Sequence, residues 1–280
     1  MVEWQLAIGD IADGYDAIAE LLALRGAQID SARGDATLIA TFTDPPDLII
    51  IDAVGAWLSN LDLPHATVQT RLAEGDPWLE GWRAIFAPFQ VSERLWVAPD
   101  WAETPPDGPE RVTVVIDPSQ AFGAGGHPTT RAVLGLLETA IGATGVEAPT
   151  VLDVGSGTGI LAIAAAKLGA TGVGVEIDRQ ACEDSVENAR LNGVADRFEV
   201  HVGSMEHVHD RYDLVLANIY DSLLVRLAPD IQRAAKGDIV LSGIMTPRVA
   251  KVEAAYPDHV VAERHDDRDW TTLWLRPRAR

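Results

Sequence analysis

One stretch of this chain admits few folds: Val151-Leu152-Asp153-Val154-Gly155-Ser156-Gly157-Thr158-Gly159-Ile160, followed at once by an alanine-rich run to Lys167. A short apolar run, a turn with glycine at alternate positions and a helical stretch together predict a buried strand, a tight turn and a helix. Without a Cβ, Gly155, Gly157 and Gly159 can adopt positive φ and let a ligand approach the backbone. Strand–turn–helix units of this kind build doubly wound parallel sheets, which bind ligands at the carboxyl ends of their strands.

The spacing narrows the ligand. Gly155 and Gly157 begin a dinucleotide fingerprint, G-x-G-x-x-G, but its third glycine position is occupied by Ile160. The pattern is G-x-G-x-G instead. Two acids flank it, Asp153 at the strand end and Glu176 after the next apolar run, Gly172-Val173-Gly174-Val175. An acid at the second strand end is placed to take ribose hydroxyls. A wide glycine turn with acidic neighbours suits a ligand that carries a carboxylate, an ammonium and a sulfonium, so the expected cofactor is S-adenosylmethionine.

Charge and composition exclude other classes. The net charge of −20 argues against binding nucleic acid, which requires clustered Lys and Arg to neutralise phosphates. It favours a basic protein partner. Residues 1–75 are especially acidic, with twelve acids against three arginines. No apolar run approaches the ~20 residues of a membrane span, and Glu3, Asp10 and Asp13 stand where a signal peptide would be basic. A cytoplasmic monomer is expected. The single cysteine, Cys182, excludes an intrachain disulfide and a cysteine metal cluster. His201, His207 and His209 lack ligand-like spacing and are expected to be solvated, so no metal site is expected.

The first 73 residues form a candidate domain of their own. Strand patterns at 3–8, 28–33, 37–43 and 66–72 alternate with helical patterns at 14–26 and 45–63. The order βαββαβ is that of a small ferredoxin-like α+β domain. His65 is its only histidine, and nothing beside it suggests a ligand role. Residues 74–107, rich in Pro and Trp, read as a linker; Trp78, Trp82, Trp96 and Trp101 would pack it onto the following domain or line a substrate groove. The remainder, 108–280, is expected to hold the chemistry.

A strand at 112–118 leads into Ala121-Phe122-Gly123-Ala124-Gly125-Gly126-His127-Pro128-Thr129-Thr130 and a helix from about Pro128. This stretch resembles the AFGTGTHPTT signature of the bacterial ribosomal protein lysine methyltransferases, which modify the stalk-base protein of the large subunit. The similarity covers most of the chain. Residues 82–101 resemble the family's linker, 151–159 its cofactor loop, Ala217-Asn218-Ile219 its ANI motif and Leu241-Ser242-Gly243-Ile244 its LSGI strand. The resemblance implies a class I S-adenosylmethionine-dependent methyltransferase fold, a Rossmann-like seven-stranded α/β sheet, preceded by a ferredoxin-like domain that recognises the substrate.

By the same resemblance, Thr130, Gly155, Glu176 and Asn218 fall on cofactor-binding positions, with Phe122 and Gly123 in the signature loop and Asp153, Gly157 and Gly159 in the turn. Asn218 is the expected catalytic residue, accepting hydrogen bonds from the amine. No strong base is required, because an amine entering a partly dry cleft has its pKa lowered by desolvation. Ala124 and Gly126 stand where the signature has threonines, and Glu176 stands for the usual aspartate. The lost hydroxyls leave open a paralogous enzyme acting on another protein, such as an electron-transfer flavoprotein subunit, or on a small amine. A cofactor-binding module without activity is the remaining alternative.

Overall fold

A computed structural model describes residues 4–9, 18–19, 22–23, 27–32, 37–42, 67–72, 87–105, 107–117 and 125–278, in two compact units, Met1–Ile85 and Phe86–Arg280.

The smaller unit contains β1 (Trp4–Gly9), β2 (Gln28–Ala32), β3 (Thr37–Phe42) and β4 (Thr67–Leu72), in the antiparallel order β2-β3-β1-β4. In this order β1 and β3, which are distant in sequence, pair with each other at the centre. Ile8 faces Leu38 across that pair, and both are fully buried. Ile18 and Leu22, one helical turn apart, are also fully buried. The helix expected at 45–63 and His65 lie outside the described residues.

The larger unit opens with β5 (Phe89–Gln90), β6 (Leu95–Pro99) and β7 (Val112–Ile116) in one three-stranded sheet. Here β6 and β7 run parallel, Leu95 opposite Val112. The unit boundary at Phe86 therefore falls inside the stretch 74–107 expected to be a linker, and its second half is paired structure. Trp96 is half-buried in β6 with the Arg111 guanidinium 4.0 Å above its ring, and Trp101 is half-buried as well. Trp78 and Trp82 lie outside the described residues.

Next come α1 (Pro128–Ala143), β8 (Thr150–Val154), α2 (Ile160–Lys167), β9 (Thr171–Glu176), α3 (Arg179–Leu191) and β10 (Phe198–Val202). They are followed by β11 (Tyr212–Asn218), α4 (Asp221–Ala234), β12 (Ala235–Met245), α5 (Val249–Ala254), β13 (His259–Asp267) and β14 (Trp270–Pro277). Seven strands form one sheet in the order β10-β9-β8-β11-β12-β14-β13, with β14 antiparallel to both its neighbours. This is the α/β class expected from the sequence.

Why the central strands read as continuous apolar runs is visible in their side chains. Leu214 and Leu216 of β11 enter a core shared with α1 and α2, whereas Val215 and Ala217 enter a second core shared with α4 and α5. Both faces of a parallel sheet are covered, so both parities must be apolar. The alanines of α2 let it lie close on β9: a Cβ on Gly172 would come within 2.5 Å of the Ala162 carbonyl oxygen. Helix α5 was not expected from the sequence, since six residues behind Pro247 carry too little periodicity. Among the described residues, no helix is long and apolar enough to cross a membrane.

Candidate active site

Parallel register puts the predicted residues on one edge of the sheet. Val154 lies opposite both Val175 and Ala217, so Gly155, Glu176 and Asn218 each follow by one residue at the carboxyl ends of β8, β9 and β11. Ser242, opposite Asn218, occupies the same level of β12.

The turn after β8 is held from three sides. Gly155 and Ser156 donate to the Val175 carbonyl at 2.9 and 3.2 Å, and Gly159 donates to Ser156 O at 2.8 Å. At φ +73°, Gly155 also lies so close to Ile219 that a Cβ would sit 2.5 Å from its Cγ2. Glu176, half-buried, accepts the Gly157 N–H at 3.0 Å through Oε2 and the Asp178 N–H at 3.0 Å through Oε1. Beside it Ile177 is 76% exposed, a large apolar side chain left at the rim.

Asp153 works from beneath. Helix α2 begins at Gly159, which has no side chain to cap the helix, and the carboxylate of Asp153 accepts the Ala162 N–H at 3.3 Å in its place. Its other oxygen, and the Ser156 hydroxyl, are buried without a hydrogen-bond partner. Full burial raises the pKa of Asp153 from 3.8 to about 7; the Ala162 hydrogen bond opposes this and the charge of Glu176 adds to it.

Helix α1 brings the end of the signature to the same edge. His127 is its N-cap, Pro128 opens its first turn, and Thr129 Oγ1 lies 2.7 Å from His127 Nδ1. Burial lowers the His127 pKa to about 4, against the attraction of Asp267, so the ring is neutral at physiological pH. Its edge meets Trp270 at 5.3 Å. Ser242 donates to Thr129 O at 3.3 Å and lies 2.6 Å from the Thr272 hydroxyl, tying the start of α1 to β12 and β14. Thr130, buried, accepts a hydrogen bond from Asn218 Nδ2 at 3.1 Å.

Thus Thr130, Asp153, Gly155, Gly157, Gly159, Glu176 and Asn218 converge on one rim, while Phe122 and Gly123 lie outside the described residues. Sequence reasoning assigned no individual role to Ile177, to Ser242 or to two asparagines of helical register, Asn188 and Asn192. Asn188 has a recognisable signal: asparagine inside a helix competes for backbone bonds and calls for a partner. His201 and His207, expected to be solvated, are exposed beside Glu199 and Glu206.

The rim thus joins an acid at a strand end to an exposed apolar side chain, Ile177, beside the glycine turn.

The profile of the ribosomal protein L11 methyltransferase (PrmA) family matches residues 22–278. The chain is 39% identical over 236 residues to a ribosomal protein L11 methyltransferase of Pelobacter propionicus, covering 82% of this chain and 75% of that protein. It is 41% identical over 228 residues to the Dechloromonas aromatica protein of the same name, covering 80% and 73%. The crystal structure of ribosomal protein L11 methylase from Lactobacillus delbrueckii subsp. bulgaricus superposes with a TM-score of 0.62 at 30% identity, covering 69% of this chain and 100% of that one.

Proposed function

The chain belongs to the ribosomal protein L11 methyltransferase family, and on that premise we propose that it transfers methyl groups from S-adenosylmethionine to lysine or α-amino nitrogens of a large-subunit ribosomal protein. The observation that carries the reading is the convergence of Thr130, the 155–159 turn, Glu176 and Asn218 at the carboxyl edge of one seven-stranded sheet.

Glu176 would take the ribose hydroxyls with lone pairs left over from Gly157 and Asp178. Ile177 offers an apolar surface to the base, and the glycines allow close approach to the backbone. Asp153 supports the turn from below, and Phe122 and Gly123 contribute from the signature loop. When bound, S-adenosylmethionine supplies an electrophilic methyl group on a sulfonium.

The chain's own groups do the rest. With its Nδ2 donating to Thr130, Asn218 presents Oδ1 to accept from the incoming amine and to orient it. Desolvation in the cleft lowers the amine pKa, so its proton passes to water without a dedicated base. Neutral His127 adds no positive charge that would repel a cationic cofactor or an ammonium.

Residues 1–73 would recognise the protein substrate, and their acidity suits a basic partner. The enzyme acts as a cytoplasmic monomer on protein and not on nucleic acid, in keeping with its net charge of −20. Mass spectrometry of large-subunit proteins from a strain lacking this chain tests the reading. One ribosomal protein should lose methyl groups and regain them on complementation; an unchanged methylation pattern would overturn the proposed substrate.

A further inference from the structure

Helix α3 is docked by side-chain amides at a place where most helices use apolar contacts. Asn188, 2% exposed, donates from Nδ2 to the Thr158 carbonyl at 3.0 Å and accepts the Asp117 N–H on Oδ1 at 3.1 Å. Four residues on, Asn192 Oδ1 accepts the Val115 N–H at 2.8 Å, and its Nδ2 donates to Val115 O at 2.5 Å and to Asn188 O at 2.7 Å.

The geometry follows from the sheet. In the three-stranded order β5-β6-β7, β7 is an edge strand, and the backbone of alternate residues faces away from β6. Val115 and Asp117 are two such residues. A primary amide carries one acceptor and one donor group, like a peptide unit, so Asn192 satisfies both backbone groups of Val115 as a further strand would. Asn188 continues that ladder at Asp117, but spends its donor elsewhere, on Thr158 inside the glycine turn. These half-buried backbone groups face away from β6, and the two amides supply the partners that a further strand would.

We propose that Asn188 is a positioning residue for methyl transfer: one buried amide fixes the cofactor turn at Thr158 relative to the end of β7 at Asp117. Asn192 holds β7 alone and makes no bond to the turn. The two asparagines are therefore separable. The inference rests on the turn being the S-adenosylmethionine site.

The test compares Asn188→Ala, Asn188→Asp and Asn192→Ala in the full chain, by hydrogen–deuterium exchange and by calorimetry with S-adenosylmethionine. Asn188→Ala should raise exchange in both peptides, 112–117 and 155–160. Asn188→Asp keeps the acceptor for Asp117 and, when ionised, replaces the donor to Thr158 with a carboxylate oxygen, so above neutral pH the rise should be concentrated in 155–160. Both Asn188 variants should weaken cofactor binding by about tenfold, the scale of a lost buried hydrogen bond, and leave the Michaelis constant for the protein substrate within about twofold. Asn192→Ala should loosen 112–117 and lower Tm with cofactor affinity within about twofold of the wild type.

If the Asn188 variants bind cofactor like the wild type and only melt earlier, or if exchange rises evenly across the unit, Asn188 is a packing residue and the proposal fails. A wild-type chain that gives no heat with S-adenosylmethionine would instead remove the cofactor reading. The paired exchange response would then still decide whether the turn and β7 are coupled.

Discussion

Asn218 donates from Nδ2 to Thr130 Oγ1 at 3.1 Å, joining the carboxyl end of β11 to the first turn of α1 across 88 residues of chain. The contact orients the amide, leaving its oxygen to the proposed amine substrate. Asn218→Ala should lower kcat by about 10²-fold, as removal of a preorganised polar contact from a reacting centre does, with a smaller loss of cofactor affinity. Thr130→Val should move kcat in the same direction by less, because Asn218 remains but is free to turn. Steady-state kinetics on a lysine-bearing ribosomal substrate check both. Unchanged kcat in Asn218→Ala would take the amine away from Asn218.

Glu176 serves the turn and the proposed ribose site together. Glu176→Gln keeps the shape and one acceptor oxygen but presents an amide where Gly157 N–H or Asp178 N–H needs an acceptor. Glu176→Ala should weaken S-adenosylmethionine binding by about 1.5–3 kcal/mol, the range for hydrogen bonds to a charged group, and Glu176→Gln by somewhat less. Calorimetry reads both; wild-type affinity in the alanine variant would remove Glu176 from the ribose site.

The turn and its acids are legible in sequence because backbone geometry and ligand chemistry restrict the residue types allowed there. Gly155 illustrates this: positive φ and the approach of Ile219 each exclude a side chain. Pairing between distant segments is harder to see. Strand patterns at 94–97 and 112–118 are each visible, but their parallel pairing is not, because nothing local specifies that Leu95 lies opposite Val112. Asn188 and Asn192 are hidden for a related reason, since the N–H groups they accept, at Asp117 and Val115, lie more than seventy residues upstream. Asp153 reads as a ligand contact from its position alone, whereas its burial and its bond to Ala162 emerge only once α2 is folded over it.

Gly155→Ala should be the most damaging small substitution in the turn. It combines positive φ, at about 1 kcal/mol or more, with a Cβ lodged against Ile219, so a loss of roughly 2–4 kcal/mol is expected. Denaturant unfolding measures it. A second change, Ile219→Ala, should recover part of the loss by opening the space, and no recovery would mean that strain in the backbone dominates.

Asp153 gives the stability a pH dependence with a definite sign. Its folded pKa, about 7, exceeds the ordinary 3.8, so the folded state holds the proton more tightly. The stabilisation is complete below 3.8 and is lost as pH rises through about 7. His127 acts in the opposite sense: with its pKa lowered to about 4, its contribution is complete above 6.5 and is lost as pH falls through about 4. Comparing Asp153→Asn with the wild type isolates the first effect. The stability of the variant relative to wild type should climb by roughly 2–4 kcal/mol between about pH 4 and pH 7 and then level off. Parallel melting curves across that window would mean that Asp153 does not titrate there.

The two units should separate by function. Phe86–Arg280 contains the rim and both cores of the seven-stranded sheet, so a chain beginning at Phe86 has what it needs to fold and to bind S-adenosylmethionine. The hydrogen bonds described for Thr130, Glu176 and Asn218 are made within Phe86–Arg280. Cofactor affinity should therefore stay within about threefold of the full chain, while methylation of the intact ribosomal protein should fall by about 10²-fold or more, because substrate positioning of this kind supplies much of the rate. A short lysine peptide at high concentration separates lost recognition from lost chemistry: both chains should methylate it slowly and at similar rates. If the shortened chain methylates the intact protein at the full rate, recognition lies within Phe86–Arg280; if it binds cofactor but fails on the peptide as well, the smaller unit takes part in the chemistry itself.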